Sequence, residues 1–201
     1  MNLFYSPGAC ALASQIALRE AGLKFDLVKV DLKAKEYSGG DYKKVNPKGY
    51  IPALQLPNGE LMTEGAVILQ WIADQAPDKN LIPKFGTQDR YKAMEWLNYI
   101  ATELHKGMGI LFQPTLNDEA KQGVRDRLQL RLAVLDNQLQ KSPYILGDHF
   151  SVVDAYAYNI LRWSGIVNVD LTNHKNLQAF MTKMAARSTV QEAVAAEGIR
   201  L

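Results

Sequence analysis

The order of strand and helix signals is the feature that most constrains the fold of this 201-residue chain. Short apolar strands are predicted over residues 3–5 and 25–30, with a helix over residues 10–21 between them. A polar loop over residues 33–50 follows, and then a hairpin over residues 52–63 and a helix over residues 65–76. A βαβ unit followed by a ββα unit predicts a mixed sheet with helices on its faces.

The rest of the chain carries only helical signals. Residues 76–86 are rich in Pro and Gly and predict a linker, after which we expect about five helices. Helix caps are predicted at Thr87, Asn117, Ser151 and Ser188, and the last two have capping-box spacing to Asp154 and Gln191. The sequence therefore predicts an α/β domain over residues 1–78 and an all-α domain over residues 86–201.

Composition excludes several classes of protein. The chain is 47% hydrophobic and 22% charged, which is ordinary for a globular protein. A formal net charge of +2 is too small to indicate nucleic-acid or membrane binding. The single cysteine excludes an intrachain disulfide, and no secretory signal or long apolar run is present, so we expect a cytoplasmic protein.

The single cysteine, Cys10, lies between a strand signal and the start of a helix. Unpaired amides and the positive end of a helix dipole favour the reactive thiolate there. The alternative is a buried cysteine that packs as a small hydrophobe, and local sequence leaves both interpretations open. Because no second cysteine follows at C-x-x-C spacing, the chain cannot cycle an internal dithiol.

Three other segments carry candidate site residues. The backbone of Ile51 lies beside Cys10 if the Ile51–Pro52 bond is cis, although most X–Pro bonds are trans. Glu64 and Gly65 begin a helix whose amides can bind a carboxylate, although local sequence favours Glu64 as an ordinary first-turn acid. On the helix after the linker one polar stripe lines a cleft or simply faces solvent, and it contains Asn98, Thr102 and His105, with Glu95 nearby. His105 has no second His or Cys at ligand spacing, which argues against a metal site.

Taken in order, five segments of the chain resemble cytosolic glutathione transferases, most nearly those of the bacterial Beta class. The resemblance covers almost the whole chain, and the stretch from Trp96 to Lys106 is its most specific part. The segments are Leu3-Phe4-Tyr5-Ser6-Pro7-Gly8-Ala9-Cys10, Val45-Asn46-Pro47-Lys48-Gly49-Tyr50-Ile51-Pro52-Ala53-Leu54, Leu61-Met62-Thr63-Glu64-Gly65, Trp96-Leu97-Asn98-Tyr99-Ile100-Ala101-Thr102-Glu103-Leu104-His105-Lys106 and Ser151-Val152-Val153-Asp154-Ala155-Tyr156.

The resemblance implies a thioredoxin-like N-terminal domain, a C-terminal helical-bundle domain, a homodimer and glutathione as co-substrate. It places Cys10 beside the glutathione sulfur, the Ile51 backbone on the cysteinyl part, Glu64 and Gly65 on the γ-glutamyl end and Lys35 on the glycyl carboxylate. It brings Asn98, Thr102, Glu103 and His105 to the site from the helical domain, with His105 hydrogen-bonded to Cys10 or to the substrate thiol. Trp163 lines the electrophile site or belongs to the core. Ala11 departs from related chains, which often have Ser or Thr there.

Three functions follow as hypotheses. The first is conjugation of the glutathione thiolate to small hydrophobic electrophiles, with possible thiol–disulfide exchange through Cys10. The second is a primarily redox or dehalogenating enzyme that uses Cys10. The third is a non-enzymatic ligand carrier on the same fold, because a fold does not determine a function. The presence of Cys10, Glu64 and His105 favours an enzyme.

Overall fold

A six-stranded mixed sheet forms the centre of the N-terminal half. The computed structural model describes residues 1–200. The sheet order is β4-β3-β2-β1-β5-β6, with β1 parallel to β2 and the other neighbouring strands antiparallel. The strands are β1 Asn2–Tyr5, β2 Asp26–Asp31, β3 Glu36–Tyr37, β4 Gly40–Asp41, β5 Ala53–Gln55 and β6 Leu61–Thr63. The mixed sheet predicted from the order of elements is confirmed.

The small β3–β4 hairpin was not predicted from the sequence, which indicated only a polar loop there. It continues the sheet beyond β2, since Val30 pairs with Tyr37 and Tyr37 pairs with Gly40. Its two-residue strands are too short to show an alternating pattern. An aromatic contact fixes it instead, because the Tyr37 ring meets the Phe4 ring edge-on with centroids 5.5 Å apart.

Three helices belong to the same compact unit as this sheet. They are α1 Ala11–Glu20, α2 Gly65–Asp74 and α8 Ser188–Glu197. This unit comprises Met1–Ile82 together with the segment from Ala186 onward. The division differs from the predicted one, which placed the whole C-terminal segment in the all-α domain. The physical reason is that α8 packs on α1, where Arg187 of the C-terminal segment forms an ion pair with Glu20 at 2.7 Å.

The second compact unit, Pro83–Ala185, is helical. Its helices are α3 Gln88–Tyr99, α4 Lys106–Ile110, α5 Asp118–Leu139, α6 Val152–Leu161 and α7 Lys175–Ala185. Between α3 and α4 the backbone forms a π-helical segment, Ile100–His105, so the predicted helix after the linker is not one regular α-helix. A π-helix bonds residue i to i+5 and turns less per residue than an α-helix, which changes the predicted stripe of Asn98, Thr102 and His105.

Most predicted caps are observed. The Thr87 side chain accepts from the N–H of Arg90, and the Asn117 side chain accepts from the N–H of Ala120. Ser151 caps α6 within a capping box. The cap predicted at Ser188 is wrong, because Arg187 is the N-cap residue of α8 and its side chain binds Glu20 instead.

Within residues 1–200, no helix is long and apolar enough to cross a membrane. The same part of the chain contains no group of three or more His, Cys, Asp or Glu side chains able to hold a metal ion.

Candidate functional site

Cys10 lies at the N-terminus of α1 and is partly exposed. It is the N-cap residue of the helix, which begins at Ala11, one position after the predicted start at residue 10. The preceding turn is closed by a hydrogen bond from the N–H of Ala9 to the carbonyl of Ser6. The Cys10 thiol donates to the carbonyl of Ile51 at 3.2 Å. Partial exposure at a helix N-terminus is the setting of a reactive cysteine and not of a buried structural one.

The Ile51–Pro52 peptide bond is cis, the isomer that was expected to place the Ile51 backbone beside Cys10, although most X–Pro bonds are trans. Ile51 is buried and lies two residues before the start of β5. Two donors hold the loop before it, since the Tyr42 hydroxyl and the Asn46 side-chain amide both donate to the carbonyl of Tyr50. The Ile51 carbonyl therefore has a fixed position beside the Cys10 sulfur.

Glu64 connects β6 to α2 in an unusual backbone conformation. Its φ of +69° is positive, which is uncommon for a residue other than glycine. Its carbonyl accepts from the N–H groups of Val67 and Ile68. Gly65 is the first residue of α2, where helix amides have no intrahelical acceptor and can bind an anion.

The Glu64 carboxylate has a neighbour that the sequence did not indicate. Lys48 Nζ lies 2.7 Å from Glu64 Oε1 and also donates to the Thr63 hydroxyl at 3.0 Å. Both charged side chains are more than half exposed, so this pair contributes little to stability. An ammonium group on a ligand can therefore take the place of Lys48 on this carboxylate at small cost.

Lys35 lies in the turn after β2 and has a positive φ of +61°. Its Nζ donates to the Gly49 carbonyl at 2.9 Å and lies 6.0 Å from the centre of the Tyr50 ring. The side chain thus reaches the loop that precedes Ile51. This contact gives Lys35 a defined position near the predicted glutathione-binding backbone, although its role toward a ligand stays a prediction.

The predicted residues of the second unit lie around the π-helical segment. The Thr102 hydroxyl donates to the carbonyl of Asn98, and both residues are exposed. The Glu103 carboxylate accepts from Arg131 Nε of α5 at 2.6 Å. In this unit Glu103 therefore joins two helices. Its predicted contact with glutathione stays a prediction, as do those of Asn98 and Thr102.

His105 is the last residue of the π-helical segment and is surrounded by aromatic rings. Its Nδ1 lies 2.7 Å from the Tyr156 hydroxyl of α6. The Trp163 ring meets the imidazole with centroids 5.1 Å apart, so Trp163 is both a buried aromatic and a neighbour of His105. Burial, with a smaller effect from the charge of Lys106, lowers the pKa of His105 to about 4. The imidazole is thus neutral at pH 7.

A neutral imidazole carries one N–H. The hydrogen bond made by one ring nitrogen decides which of the two nitrogens carries the proton. If the Tyr156 hydroxyl donates to Nδ1, the proton of His105 is on Nε2, and this nitrogen is then a hydrogen-bond donor. The sequence did not indicate Tyr156, because a tyrosine in an apolar helix carries no signal that distinguishes a hydrogen-bond partner from a core residue.

Comparisons with known proteins identify the family. Residues 8–75 match the glutathione S-transferase N-terminal domain, and residues 99–188 match the glutathione S-transferase C-terminal domain. Glutathione S-transferase GstA of Escherichia coli O157:H7 is 48% identical over 201 residues, which is 100% of both chains. The chain belongs to the glutathione S-transferase family.

Solved structures agree with this assignment. BphK, a bacterial transferase solved as a ternary complex, is 50% identical with a TM-score of 0.97, covering 99% of this chain and 100% of that chain. The bacterial beta class transferase of Sphingomonas chungbukensis is 43% identical with a TM-score of 0.95, covering 100% of each chain. These comparisons confirm the predicted transferase activity, the glutathione co-substrate and the beta class, with a thioredoxin-like N-terminal domain.

Proposed function

We propose that Cys10, the Ile51 backbone and the start of α2 at Glu64 and Gly65 hold glutathione while the enzyme conjugates its sulfur to small hydrophobic electrophiles. The observation that supports this most is the 3.2 Å contact between the Cys10 sulfur and the Ile51 carbonyl. This contact places a thiol at a helix N-terminus beside a backbone carbonyl, so both groups are available to one ligand. A cysteinyl peptide unit pairs naturally with such a backbone segment, in the manner of an added strand.

The ends of glutathione match the charges on either side of this contact. The γ-glutamyl end carries an ammonium group for Glu64 and a carboxylate for the amides at the start of α2. Lys35 offers a cation for the glycyl carboxylate. In this arrangement the ligand's ammonium group replaces Lys48 on the Glu64 carboxylate.

The proposed chemistry begins with the thiol of glutathione, whose ordinary pKa is ~8.5. Donors around the sulfur favour the thiolate, which attacks the electrophilic carbon. For an aryl halide, a sulfur–carbon bond forms, the carbon–halogen bond breaks and halide leaves. We assign the Nε2 proton of neutral His105 as one such donor, held there by Tyr156, and Asn98, Thr102 and Glu103 as further contacts from the helical unit.

The direct test is turnover of an aryl halide with glutathione, compared with turnover of a glutathionylated disulfide. Fast conjugation with slow disulfide reduction supports the proposal, and the opposite ratio supports a primarily redox enzyme. Binding to a glutathione column without turnover of either substrate, across a panel of electrophiles, would indicate a ligand carrier instead.

A second activity, thiol–disulfide exchange, is favoured by the partial exposure of Cys10. The Cys10 thiolate attacks glutathione disulfide, a protein–glutathione disulfide forms and one glutathione thiolate leaves. A second glutathione then releases Cys10 and forms glutathione disulfide again. The chain has no resolving cysteine, so the mixed disulfide cannot collapse to an intrachain bond.

Intact-protein mass spectrometry after incubation with glutathione disulfide tests this activity. We expect one glutathionyl adduct that reductant removes, and none in Cys10→Ala. Lack of an adduct in the wild-type chain would remove Cys10 from redox chemistry and leave conjugation by bound glutathione alone.

The proposed setting is a cytoplasmic homodimer that binds neither nucleic acid nor membrane. The small net charge of +2 supports the absence of a nucleic-acid partner. The beta class resemblance supports the dimer and places some contacts of the helical unit in the partner's site.

A further inference from the structure

The C-terminal helix reaches the loop that carries Cys10. Glu197 lies in the last turn of α8 and is only 6% exposed. Its Oε2 accepts from the backbone N–H of Gly8 at 2.8 Å, and its Oε1 accepts from Gln15 Nε2 at 3.0 Å. Both carboxylate oxygens therefore bind donors of the N-terminal segment, one in the loop before Cys10 and one in α1.

Gly8 is a position where such an anchor affects backbone geometry. It lies two residues before Cys10 and has a positive φ of +75°. A Cβ built at this position would meet Ile199 Cγ2 at 4.0 Å, so the C-terminal segment also covers the loop by packing. Hydrogen bonds to a charged acceptor are about twice as strong as those between neutral groups. The carboxylate thus holds the amide that sets the path of the chain into Cys10.

Two ion pairs between α1 and the C-terminal segment lie away from this loop. Arg19 forms an ion pair with Glu192 at 3.1 Å, and Arg187 forms one with Glu20. These pairs lie farther along α1 and hold α8 on its surface. Removing one of these pairs therefore weakens the docking of α8 on α1 without removing the hydrogen bond between Glu197 and Gly8.

We propose that Glu197 is a positioning residue for glutathione binding: by accepting the Gly8 N–H, it fixes the loop that places Cys10 beside the ligand. The inference rests on the proposed placement of glutathione next to Cys10. It adds a requirement to that site, namely that α8 must be docked for glutathione to bind with full affinity. Glu197 follows Val190 and Val194 at helical spacing, so the three residues share one face of α8. An acid on an otherwise apolar helix face is the sequence signal for an inward-facing carboxylate.

The test measures how well glutathione protects Cys10 from alkylation. Because Cys10 is the only cysteine, intact mass after iodoacetamide treatment reports on this residue alone. Glu197→Met keeps the length of the side chain and removes the acceptor. Glu197→Gln keeps an acceptor for the Gly8 N–H, and Glu192→Ala removes an exposed ion pair of the same helix. The alkylation rate without glutathione and the melting temperature are recorded for each variant.

We expect Glu197→Met to need roughly ten- to a hundredfold more glutathione for half protection, the effect of losing one charge-assisted hydrogen bond. Glu197→Gln should stay within about threefold of wild type, since one neutral hydrogen bond replaces a charged one. Glu192→Ala should match wild type. Equal protection in Glu197→Met and Glu192→Ala would overturn the inference, as would equal losses in the Met and Gln variants.

Loss of folding in Glu197→Met would also overturn the inference, because Glu197 would then serve the fold and not the loop. A wild-type chain whose Cys10 glutathione does not protect at all would contradict the proposed function itself. The two failures are therefore distinguishable.

Discussion

At the scale of single residues, backbone conformation and burial determine the state of Glu64 and His105, two residues of the proposed site. Glu64 has a positive φ, and its carbonyl accepts from two amides of α2. Its carboxylate forms an ion pair with the exposed Lys48. His105 is neutral because burial disfavours the imidazolium. In both cases the protein sets the backbone or the protonation state of a group that we propose as a ligand contact.

Glu64→Ala should weaken glutathione binding and leave the fold intact. The lost charge-assisted contact is worth ~1.5–3 kcal/mol, which corresponds to roughly ten- to more than a hundredfold in affinity. Isothermal titration calorimetry with glutathione measures the change. Glu60→Ala, an exposed acid of the neighbouring hairpin, is the matched control. Unchanged affinity in Glu64→Ala would show that the γ-glutamyl end binds elsewhere.

Tyr156→Phe should raise the pKa of the thiol of bound glutathione. Without the hydroxyl, the proton of His105 is free to move from Nε2 to Nδ1, and the sulfur loses one donor. A neutral hydrogen bond of ~1 kcal/mol corresponds to a shift of roughly 0.7 pH units. The pH dependence of kcat/KM for an aryl halide, recorded at saturating glutathione, measures the pKa of the bound thiol. Tyr158→Phe, on the opposite face of α6, should leave the profile in place.

The lowered pKa of His105 also makes stability depend on pH. Between its unfolded value of about 6.5 and its folded value of about 4, the unfolded chain binds a proton that folded His105 does not. Its contribution to stability is therefore fully present above pH 6.5 and is lost as the pH falls toward 4. Urea unfolding at pH 7.5 and 5.0 should show a smaller loss in His105→Gln than in wild type. Equal losses in both would place the folded pKa near its ordinary value.

At the scale of secondary structure, the regular elements follow from local signals and the irregular ones do not. Apolar spacing and caps predicted α1, α2 and the β5–β6 hairpin to within about two residues. The β3–β4 hairpin and the π-helical segment were missed, because tertiary contacts of Tyr37 and of the residues around His105 decide them. Motifs predicted the proposed contacts at Cys10, Ile51 and Glu64, whereas Lys48, Tyr156 and Glu197 are side-chain partners that only the fold brings into contact.

The capping box of α6 is the element whose removal should destabilise the helical unit most clearly. Asp154 is fully buried and accepts from the N–H and hydroxyl of Ser151 and from the N–H of Ile145. Burial raises its pKa to about 6, with these hydrogen bonds opposing the shift. Asp154→Ala leaves the buried donors without their acceptor and should cost ~3 kcal/mol or more.

Urea unfolding followed by circular dichroism measures this loss. Asp148→Ala, an exposed acid just before the same helix, should change the free energy of unfolding by less than about 0.5 kcal/mol. A loss in Asp154→Ala as small as that of the control would mean that the helix start tolerates an open cap.

At the scale of the whole molecule, we expect a homodimer. The beta class resemblance implies it, and Glu95, Glu103 and Lys106 place charges along the α3–α4 segment. Light scattering at micromolar concentration should give about twice the chain mass of 22.5 kDa. A stable species with the mass of one chain would contradict this expectation and would require that every site residue come from a single subunit.

The compact unit that holds Cys10 is discontinuous in sequence, and this has a consequence for the order in which the protein is made. Its sheet and first two helices leave the ribosome early, but α8 is synthesised only after the entire helical unit. Until then the face of α1 that α8 covers stays open and Gly8 lacks its carboxylate partner. The helical unit, continuous from Pro83 to Ala185, can complete its contacts first. The unit whose translation begins first is therefore the unit that completes its folding last.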